Sequence, residues 1–194
     1  MTHSDYLKST TYIDWQTPSV LAKARQLAKG CESVDQIAKA CFEFVRYQIK
    51  HSWDFELNPV TLKASEVLEH GTGYCYAKSH LLAALLRANQ IPAGLCYQRL
   101  TISGDDRAPY CLHGLNAVYL ERFGWYRIDA RGNKPGVSAQ FTPPIEKLAF
   151  ELVVSGEADL PQILPEPMPQ VIKVLSQSKT YLEVAQNLPY IELI

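Results

Sequence analysis

The chain has 194 residues, of which 47% are hydrophobic and 20% charged, and its formal net charge is −1. A chain of this length and apolar content is expected to form a single domain, 1–194, around a substantial core. Its basic residues are scattered and balanced by acidic ones, which excludes the positively charged surface that nucleic-acid binding requires. We therefore expect no nucleic-acid partner.

The sequence carries no sign of membrane insertion or secretion. No apolar run approaches the roughly 20 residues that a membrane helix needs, and residues 1–6 have neither the basic nor the apolar region of a signal peptide. The five cysteines are an odd number, which fits a reducing compartment better than a disulfide framework. These features predict a cytoplasmic protein without membrane contact. The cysteines expected to be small, mostly buried core residues are Cys31, Cys41, Cys96 and Cys111.

Helical patterns occupy the first half of the chain. Thr17 before Pro18 is typical of a helix start, and Gly30 marks the end of that helix. Ser33 with Gln36 three residues later is a capping-box pattern, after which apolar residues recur at helical spacing. These signals predict helices over residues 18–29, 34–50 and 63–69, with a polar, aromatic loop over 47–58.

A fourth predicted helix, over residues 76–89, is the most apolar segment of the chain. Apolar side chains cover most of its surface: Ala77, Leu81, Leu82, Ala83, Ala84, Leu85, Leu86 and Ala88. A helix with this pattern lies in the core of a domain. The helix is predicted to end before Pro92, because a proline disfavours helical backbone in the residue that precedes it.

Strand-like segments follow the buried helix. Their patterns predict strands over 93–102, 112–120 and 125–130, edge strands over 137–141 and 148–154, and turns at 103–106 and 121–124. A proline-rich segment, 161–169, is predicted to wrap around the domain in extended form, before short helices over 171–176 and 181–187. Helices followed by an antiparallel sheet imply an α+β fold in which the central helix packs on the sheet. The core is expected over about 34–141, with 142–194 as a C-terminal wrap.

Cys75 occupies the most informative position in the sequence, at or just before the start of the buried helix. It follows a turn that contains Gly71 and Gly73. The unpaired N–H groups and the dipole of a helix N-terminus favour negative charge. A thiol there ionises more readily, and the thiolate is the nucleophilic form. We therefore predict that Cys75 is a nucleophile.

His113 and Asp129 complete a candidate catalytic set with Cys75. His113 lies near the start of the second predicted strand, and Asp129 near the end of the third. If the turn between these strands is centred on Glu121, the two residues lie directly opposite, with Cβ atoms about 4.5–5.5 Å apart. The carboxylate would then orient the imidazole. A turn over 121–124 would displace the pair, and a bulge would be needed to realign it.

Such a set is suited to thiol-based acyl transfer or amide hydrolysis. The Cys75 thiolate attacks a carbonyl, His113 protonates the leaving amine, and water or a second amine resolves the thioester. The reaction also needs an oxyanion hole, for which the Cys75 N–H is one donor. The second donor is expected in the loop that contains Tyr47, Gln48, His51 and Trp53. Further candidates for substrate binding are Tyr74, Lys78, Arg131 and Asn133.

Each of these residues also has a purely structural interpretation. A lone cysteine at a helix start is usually structural, and a lone histidine or aspartate at a strand end is usually a satisfied polar residue. Lys78 is interpreted as a surface side chain rather than as a partner of the thiol. His80 lies about 140° round the helix from Cys75 and is expected to face elsewhere. No CxxC pair or zinc-module spacing is present, so neither a metal nor a cofactor is predicted.

The motifs in this order resemble the transglutaminase-like superfamily of papain-related cysteine enzymes, as a stand-alone, bacterial-type member. The resemblance runs from about Ala64 to Asn133. Residues 64–75 resemble the segment before the nucleophile, 81–93 the core helix and its exit, 113–120 the histidine strand and 125–129 the aspartate strand. It implies a papain-like core with Cys75 as nucleophile, His113 as base and acid, and Asp129 as the orienting carboxylate.

Two positions depart from the family pattern. Members commonly carry a tryptophan two residues after the histidine, where this chain has Leu115. This departure affects the wall beside the imidazole more than the three catalytic residues. The segment from Arg131 to Lys134 is more basic than its family counterpart, and such a loop is expected to bind a carboxylate or an acidic side chain. Nothing resembles the extra β-domains or calcium sites of the large animal transglutaminases, so calcium-regulated cross-linking is not expected.

These observations predict a cofactor-free, cysteine-dependent amide hydrolase or acyl transferase. Hydrolysis of a peptide or isopeptide bond is favoured over transamidation, which needs a site that shields the thioester from water and admits an amine. Deamidase and N-glycanase-like activities stay open. The expected substrate is a peptide or protein, with a small amide as the other option. The alternative is a catalytically silent domain of the same family that binds a protein partner.

Overall fold

The computed structural model describes residues 2–102 and 109–192, so the predicted turn at 103–106 lies outside it. A short 3-10 helix, His3–Leu7, precedes the α-helices. These helices are α1 (Pro18–Ala28), α2 (Val34–Gln48), α3 (Ala64–His70), α4 (Cys75–Ala88), α5 (Pro169–Gln177) and α6 (Tyr181–Gln186). The strands are β1 (Lys50–His51), β2 (Thr72–Gly73), β3 (Ala93–Thr101), β4 (Tyr110–Leu120), β5 (Gly124–Ile128) and β6 (Ala158–Asp159). Within the described ranges, no helix has the length and apolar character needed to cross a bilayer.

Local signals place the early helix boundaries close to their predicted positions. The Ser33 hydroxyl accepts a hydrogen bond from the Gln36 N–H at 3.2 Å, and the Gln36 side chain accepts one from the Glu32 N–H at 2.6 Å. These two bonds satisfy N–H groups at the start of α2. Gly30 has a φ of 85°, a left-handed conformation that glycine adopts without strain after a helix.

Helix α4 is the centre of the fold, as its apolar surface predicts. Every residue from Cys75 to Arg87 is buried, and the helix packs against α1, α2 and α3 as well as against β3 and β4. The Asn116 amide on β4 fixes the contact with the sheet, because it donates to the Ser79 carbonyl at 2.9 Å. The candidate nucleophile therefore lies on the most buried element of the molecule.

Four strands form one antiparallel sheet in the order β5-β4-β3-β6. Together with the helices of the first half, this sheet confirms the predicted α+β class. The turn between β4 and β5 differs from the predicted one, because Leu120 pairs with Gly124 and the turn is centred one residue later than expected. Extending this register places Asp129 opposite Leu115, so the predicted direct pairing with His113 was wrong. The two residues are instead diagonal neighbours, which long side chains still bridge.

Strands β1 and β2 lie in segments where the sequence predicts no strand, since two residues are too few to show an alternating pattern. They pair in parallel, with His51 beside Gly73. The Ser52 N–H continues the contact by donating to the Gly73 carbonyl at 3.1 Å. This pairing ties the aromatic loop to the segment that leads into Cys75.

The C-terminal region is more irregular than predicted. Residues 137–141 and 148–154 contain isolated bridges at most, so the two predicted edge strands were wrong. Backbone groups there bond locally instead of in a ladder: Lys134 and Val137 exchange two hydrogen bonds, and the Gln140 N–H donates to the Lys147 carbonyl. The two edge strands of the sheet are β5 and β6 instead.

The proline-rich segment runs extended beside β3, as predicted. Leu95 and Leu164 exchange two backbone hydrogen bonds, of 2.7 and 2.9 Å. Helices α5 and α6 then follow where the two terminal helices are predicted. The C-terminal part of the chain thus covers the edge of the sheet beside β6.

Candidate active site

Cys75 is the first residue of α4, and only 7% of its surface is exposed. The Gly114 N–H of β4 donates to Cys75 Sγ at 3.5 Å. A thiolate at this position would be stabilised both by that N–H and by the N-terminus of the helix.

Gly114 allows β4 to approach the first turn of α4 closely, a role that the sequence analysis does not identify. A Cβ atom at this position would lie 3.1 Å from Tyr76 Cα and 3.3 Å from Tyr76 N. Because glycine lacks that atom, the strand brings His113 next to the nucleophile. A glycine inside a strand is the available sequence signal for such a close approach.

Replacing Gly114 with alanine is expected to lower the free energy of unfolding by about 1–3 kcal/mol and to slow alkylation of Cys75 by iodoacetamide. The added methyl group would push the start of α4 away from β4. Gly30→Ala is a matched control, because alanine in this left-handed backbone conformation costs roughly 1–2 kcal/mol while no atom lies within 4 Å of the new Cβ. Unchanged Cys75 reactivity in Gly114→Ala would contradict this role.

His113 interacts with both other members of the candidate set. Its Nε2 atom lies 2.7 Å from Asp129 Oδ2, and the ring lines the same groove as the Cys75 thiol, whose charge acts on it. The Asp129 carboxylate accepts further hydrogen bonds from the Arg131 N–H at 3.0 Å and the Ala149 N–H at 3.2 Å. The structure therefore brings Cys75, His113 and Asp129 together, with the carboxylate fixed from several sides.

The charges of the site favour a protonated imidazole. Burial acts to lower the pKa of His113, but the charges of Asp129 and Cys75 and the hydrogen bond to Asp129 raise it to about 10. Burial acts to raise the pKa of Asp129, but the His113 charge and the hydrogen bonds hold it below its ordinary value. An imidazolium at neutral pH is the state that stabilises a neighbouring thiolate.

Phe150 forms a wall beside the imidazole. Its ring meets the His113 ring edge-on, with centroids 4.9 Å apart. Leu115, which stands where family members commonly have tryptophan, instead packs in a separate cluster with Cys96 and Ala117. Phe150 lies in the irregular segment 148–154, far from His113 in the sequence, so no local pattern could have identified it.

Cys75 and His113 open into a groove of about 650 Å³, whereas Asp129 lies buried behind the imidazole. Of the four predicted loop residues, His51 and Trp53 line this groove, whereas Tyr47 and Gln48 are exposed at the end of α2 and do not. Neither ring nitrogen of His51 has a hydrogen-bond partner in the described part of the chain. Burial, followed by the Arg131 charge, holds the pKa of His51 well below its ordinary value, so this imidazole is neutral at pH 7.

Of the predicted substrate-binding residues Tyr74 and Lys78, the first lines the groove and the second does not. Tyr74 lines it, and its hydroxyl donates to the Tyr181 carbonyl at 2.6 Å. Lys78 is 1% exposed and donates to the Ile49 carbonyl, so the prediction of a surface lysine was wrong. Burial, with a smaller effect of the Arg131 charge, lowers the pKa of Lys78 to about 7. Its amino group anchors the end of α2 to α4 in either protonation state, because both forms can donate to the Ile49 carbonyl.

The basic loop after Asp129 binds a carboxylate of the same chain. Arg131 makes two hydrogen bonds to Asp54, at 2.7 and 3.0 Å, and Lys134 makes one at 2.8 Å. The sequence could not reveal this partner, which lies far away in the aromatic loop. Asn133 accepts a hydrogen bond from the Ala139 N–H at 3.1 Å and lines a neighbouring groove of about 510 Å³.

His80 lies away from the candidate set, as predicted, with its Nδ1 atom 2.7 Å from the Leu62 carbonyl. Among residues 2–102 and 109–192, no three His, Cys, Asp or Glu side chains gather in a group that could hold a metal ion.

A buried helix that presents a cysteine to a histidine and a carboxylate on an antiparallel sheet is the architecture of papain-like proteins. The chain belongs to the transglutaminase-like superfamily, whose core model matches residues 22–130. This match confirms the family that the sequence motifs indicate.

Solved structures with a similar fold include a protein from Cytophaga hutchinsonii that carries the provisional name of a cysteine protease. It is 20% identical, with a TM-score of 0.52 over 65% of this chain and 40% of that one. The periplasmic domain of TgpA from Pseudomonas aeruginosa is 18% identical, with a TM-score of 0.48 over 66% of this chain and 46% of that one. A protein named a TGase is 16% identical, with a TM-score of 0.44 over 94% and 52% of the two chains.

The chain spans about half or less of the length of these solved proteins. At such low identities the likeness concerns the fold alone. No curated protein sequence matches the chain.

Proposed function

We propose that this protein hydrolyses amide bonds of peptides or proteins, with Cys75 as its nucleophile. One observation carries the proposal: a buried imidazole lies 2.7 Å from a buried carboxylate and lines the same groove as a thiol at a helix N-terminus. A carboxylate on one side of the ring orients the other side toward the thiol. Membership of the transglutaminase-like superfamily supports the same kind of chemistry.

In the proposed mechanism, Cys75 Sγ forms a bond with the carbonyl carbon, and the π electron pair moves onto the oxygen. His113 gives its proton to the leaving nitrogen as the C–N bond breaks, which leaves a thioester. The neutral imidazole then takes a proton from water while the water oxygen attacks the thioester, and Cys75 leaves as a thiolate. Asp129 holds the ring in place and stays ionised throughout.

The oxyanion of each step requires hydrogen-bond donors in the groove. The Cys75 N–H is free for this role at the start of α4, since the first N–H groups of a helix have no partner within it. We assign the second donor to the part of the aromatic loop that lines the groove, which contains His51 and Trp53.

Hydrolysis is favoured over transamidation because water has access to the groove. Two side chains that line it, Ile102 and Val153, are 52% and 75% exposed. A thioester formed on Cys75 would therefore face solvent, whereas transamidation requires that water be excluded.

Limiting iodoacetamide at pH 7 is expected to alkylate Cys75 ahead of the other four cysteines. Burial raises the pKa of Cys41, Cys96 and Cys111 to about 12, so these thiols stay protonated. Cys31 is partly exposed and serves as an internal comparison. Mass spectrometry of the digested protein gives the rate at each cysteine.

His113→Ala is expected to slow alkylation of Cys75 by about 10²-fold and to leave Cys31 unchanged. If Cys31 reacts as fast as Cys75 in the unmodified chain, or if His113→Ala has no effect, the catalytically silent domain becomes the better interpretation. Hydrolysis itself is checked with a mixed peptide library. Peptides that the unmodified chain cleaves must stay intact when they are incubated with Cys75→Ala.

A further inference from the structure

The groove around Cys75 is walled largely by apolar side chains. Six large ones come from β3, the residue after it, β4, the irregular segment 148–154 and the C-terminal part: Leu100, Ile102, Leu112, Phe150, Val153 and Leu188. A volume of about 650 Å³ lies within the range of sites that enclose a ligand of several residues or a drug-sized molecule. The size thus favours a peptide segment over a small amide.

Most charged groups of the groove are already satisfied within the protein. Arg131 and Lys134 both bind Asp54, at 2.7 and 2.8 Å. Glu157 accepts hydrogen bonds from the N–H and the hydroxyl of Thr101, at 3.0 and 2.9 Å. A charged substrate would have to compete with these bonds, and an apolar one would not.

Glu151 is the exception among the charged side chains of the groove. It is exposed, and it forms no ion pair with any of the described residues. Its carboxylate would repel an acidic substrate group, so it also disfavours acidic side chains. Basic substrates gain only one exposed partner, and such pairs contribute little.

The exposed apolar side chains of the groove have no covering partner within the described residues. Val153 is 75% exposed and Ile102 52% exposed, and both line the same groove as the thiol. Scattered exposed apolar residues are normal, but apolar residues grouped around a reactive side chain mark a binding surface.

We propose that this groove binds the acyl part of the substrate and selects an aliphatic or aromatic side chain beside the scissile amide. This inference rests on the proposed function, because it assumes that an acyl group is transferred to Cys75. It goes beyond that function by naming the substrate class: extended peptide segments that are apolar next to the bond that is cut.

The rate of Cys75 acylation by p-nitrophenyl esters tests this selection directly. Each buried methylene is expected to raise the rate two- to about fourfold, so hexanoate should react much faster than acetate. The reactions are followed by release of p-nitrophenolate, and mass spectrometry confirms the acyl group on Cys75. N-acetylcysteine corrects for the intrinsic reactivity of each ester, and Cys75→Ala corrects for reaction elsewhere.

The corrected ratio of hexanoate to acetate rates is expected to be at least about tenfold, and the succinate half-ester should react more slowly than the butyrate ester. Val153→Ser and Ile102→Ser should each lower the ratio, and both positions are exposed enough to tolerate a polar residue. Ile145→Ser is the matched control, because Ile145 is 73% exposed and does not line the groove. It should keep the ratio of the unmodified chain.

A corrected ratio within threefold of one, or a preference for the succinate ester, would overturn the apolar selection. So would equal ratios in Val153→Ser, Ile102→Ser and Ile145→Ser. If iodoacetamide selects Cys75 while the ester ratio is flat, the substrate class alone is wrong. If iodoacetamide does not select Cys75 either, the proposed function fails as well.

Discussion

Replacing Asp129 with asparagine is expected to slow alkylation of Cys75 at neutral pH by about 10²- to 10⁴-fold. Among the influences that raise the pKa of His113, the charge of Asp129 is the largest. Asparagine preserves the size of the side chain but removes this charge. The imidazole then loses its proton at a lower pH, and the thiolate loses its cationic partner.

The pH dependence of this variant separates an electrostatic role from a merely structural one. In the folded protein the pKa of His113 is raised from 6.5 to about 10. The charged imidazole therefore contributes stability that is complete below about pH 6.5 and is lost as the pH rises through about 10. Because the imidazole stays charged between about pH 7 and 9, alkylation of the unmodified chain should change less with pH there than alkylation of Asp129→Asn. In Asp129→Asn, alkylation should instead increase steeply with pH.

Asp159→Asn provides the matched control for the loss of one carboxylate. Asp159 pairs with Arg127 at 2.7 Å on the edge strand β6 and does not line the groove of Cys75. Its alkylation profile should follow that of the unmodified chain. If Asp129→Asn lowers the rate by the same factor at every pH, the carboxylate only maintains the fold and the electrostatic assignment is wrong.

The sequence alone predicts the parts of the site that have local signals. The start of α4 at Cys75 follows from a glycine-containing turn and an apolar helix pattern, and its predicted boundary differs by one residue. His113 and Asp129 are placed near strand ends by alternating patterns. Their contact also forms, although the observed turn makes them diagonal rather than direct neighbours.

The remaining features depend on contacts between distant segments, and no local pattern encodes them. Arg131 meets Asp54 across 77 positions, and Phe150 reaches His113 from an irregular segment. The burial of Lys78 depends on the packing of α2 against α4. A charged residue inside an apolar helix is ordinarily assigned to the surface, and only the tertiary structure overrides that assignment.

Arg87 links segments that are far apart in the chain and shows how the termini are attached to the core. It is fully buried near the end of α4. Its guanidinium donates to the carbonyls of Ala93 at 2.9 Å, Lys8 at 2.9 Å and Pro165 at 2.8 Å. Burial lowers its pKa to about 10, so the group stays charged at neutral pH. One side chain thus joins the N-terminal segment and the C-terminal wrap to the central helix.

Replacing Arg87 with methionine is therefore expected to lower the free energy of unfolding by about 3–5 kcal/mol. The carbonyls of Ala93, Lys8 and Pro165 lose their donor, and Ala93 is fully buried. For a chain of this length the melting temperature should fall by roughly 6–20 °C, as measured by calorimetry or urea titration. Arg122→Met, at an exposed position, is the control and should change stability by less than about 0.5 kcal/mol. If residues 1–194 form one domain, Arg87→Met should still unfold in a single transition at the lower temperature. Early melting of the termini alone, with the core transition unchanged, would contradict both the linking role of Arg87 and the single-domain prediction.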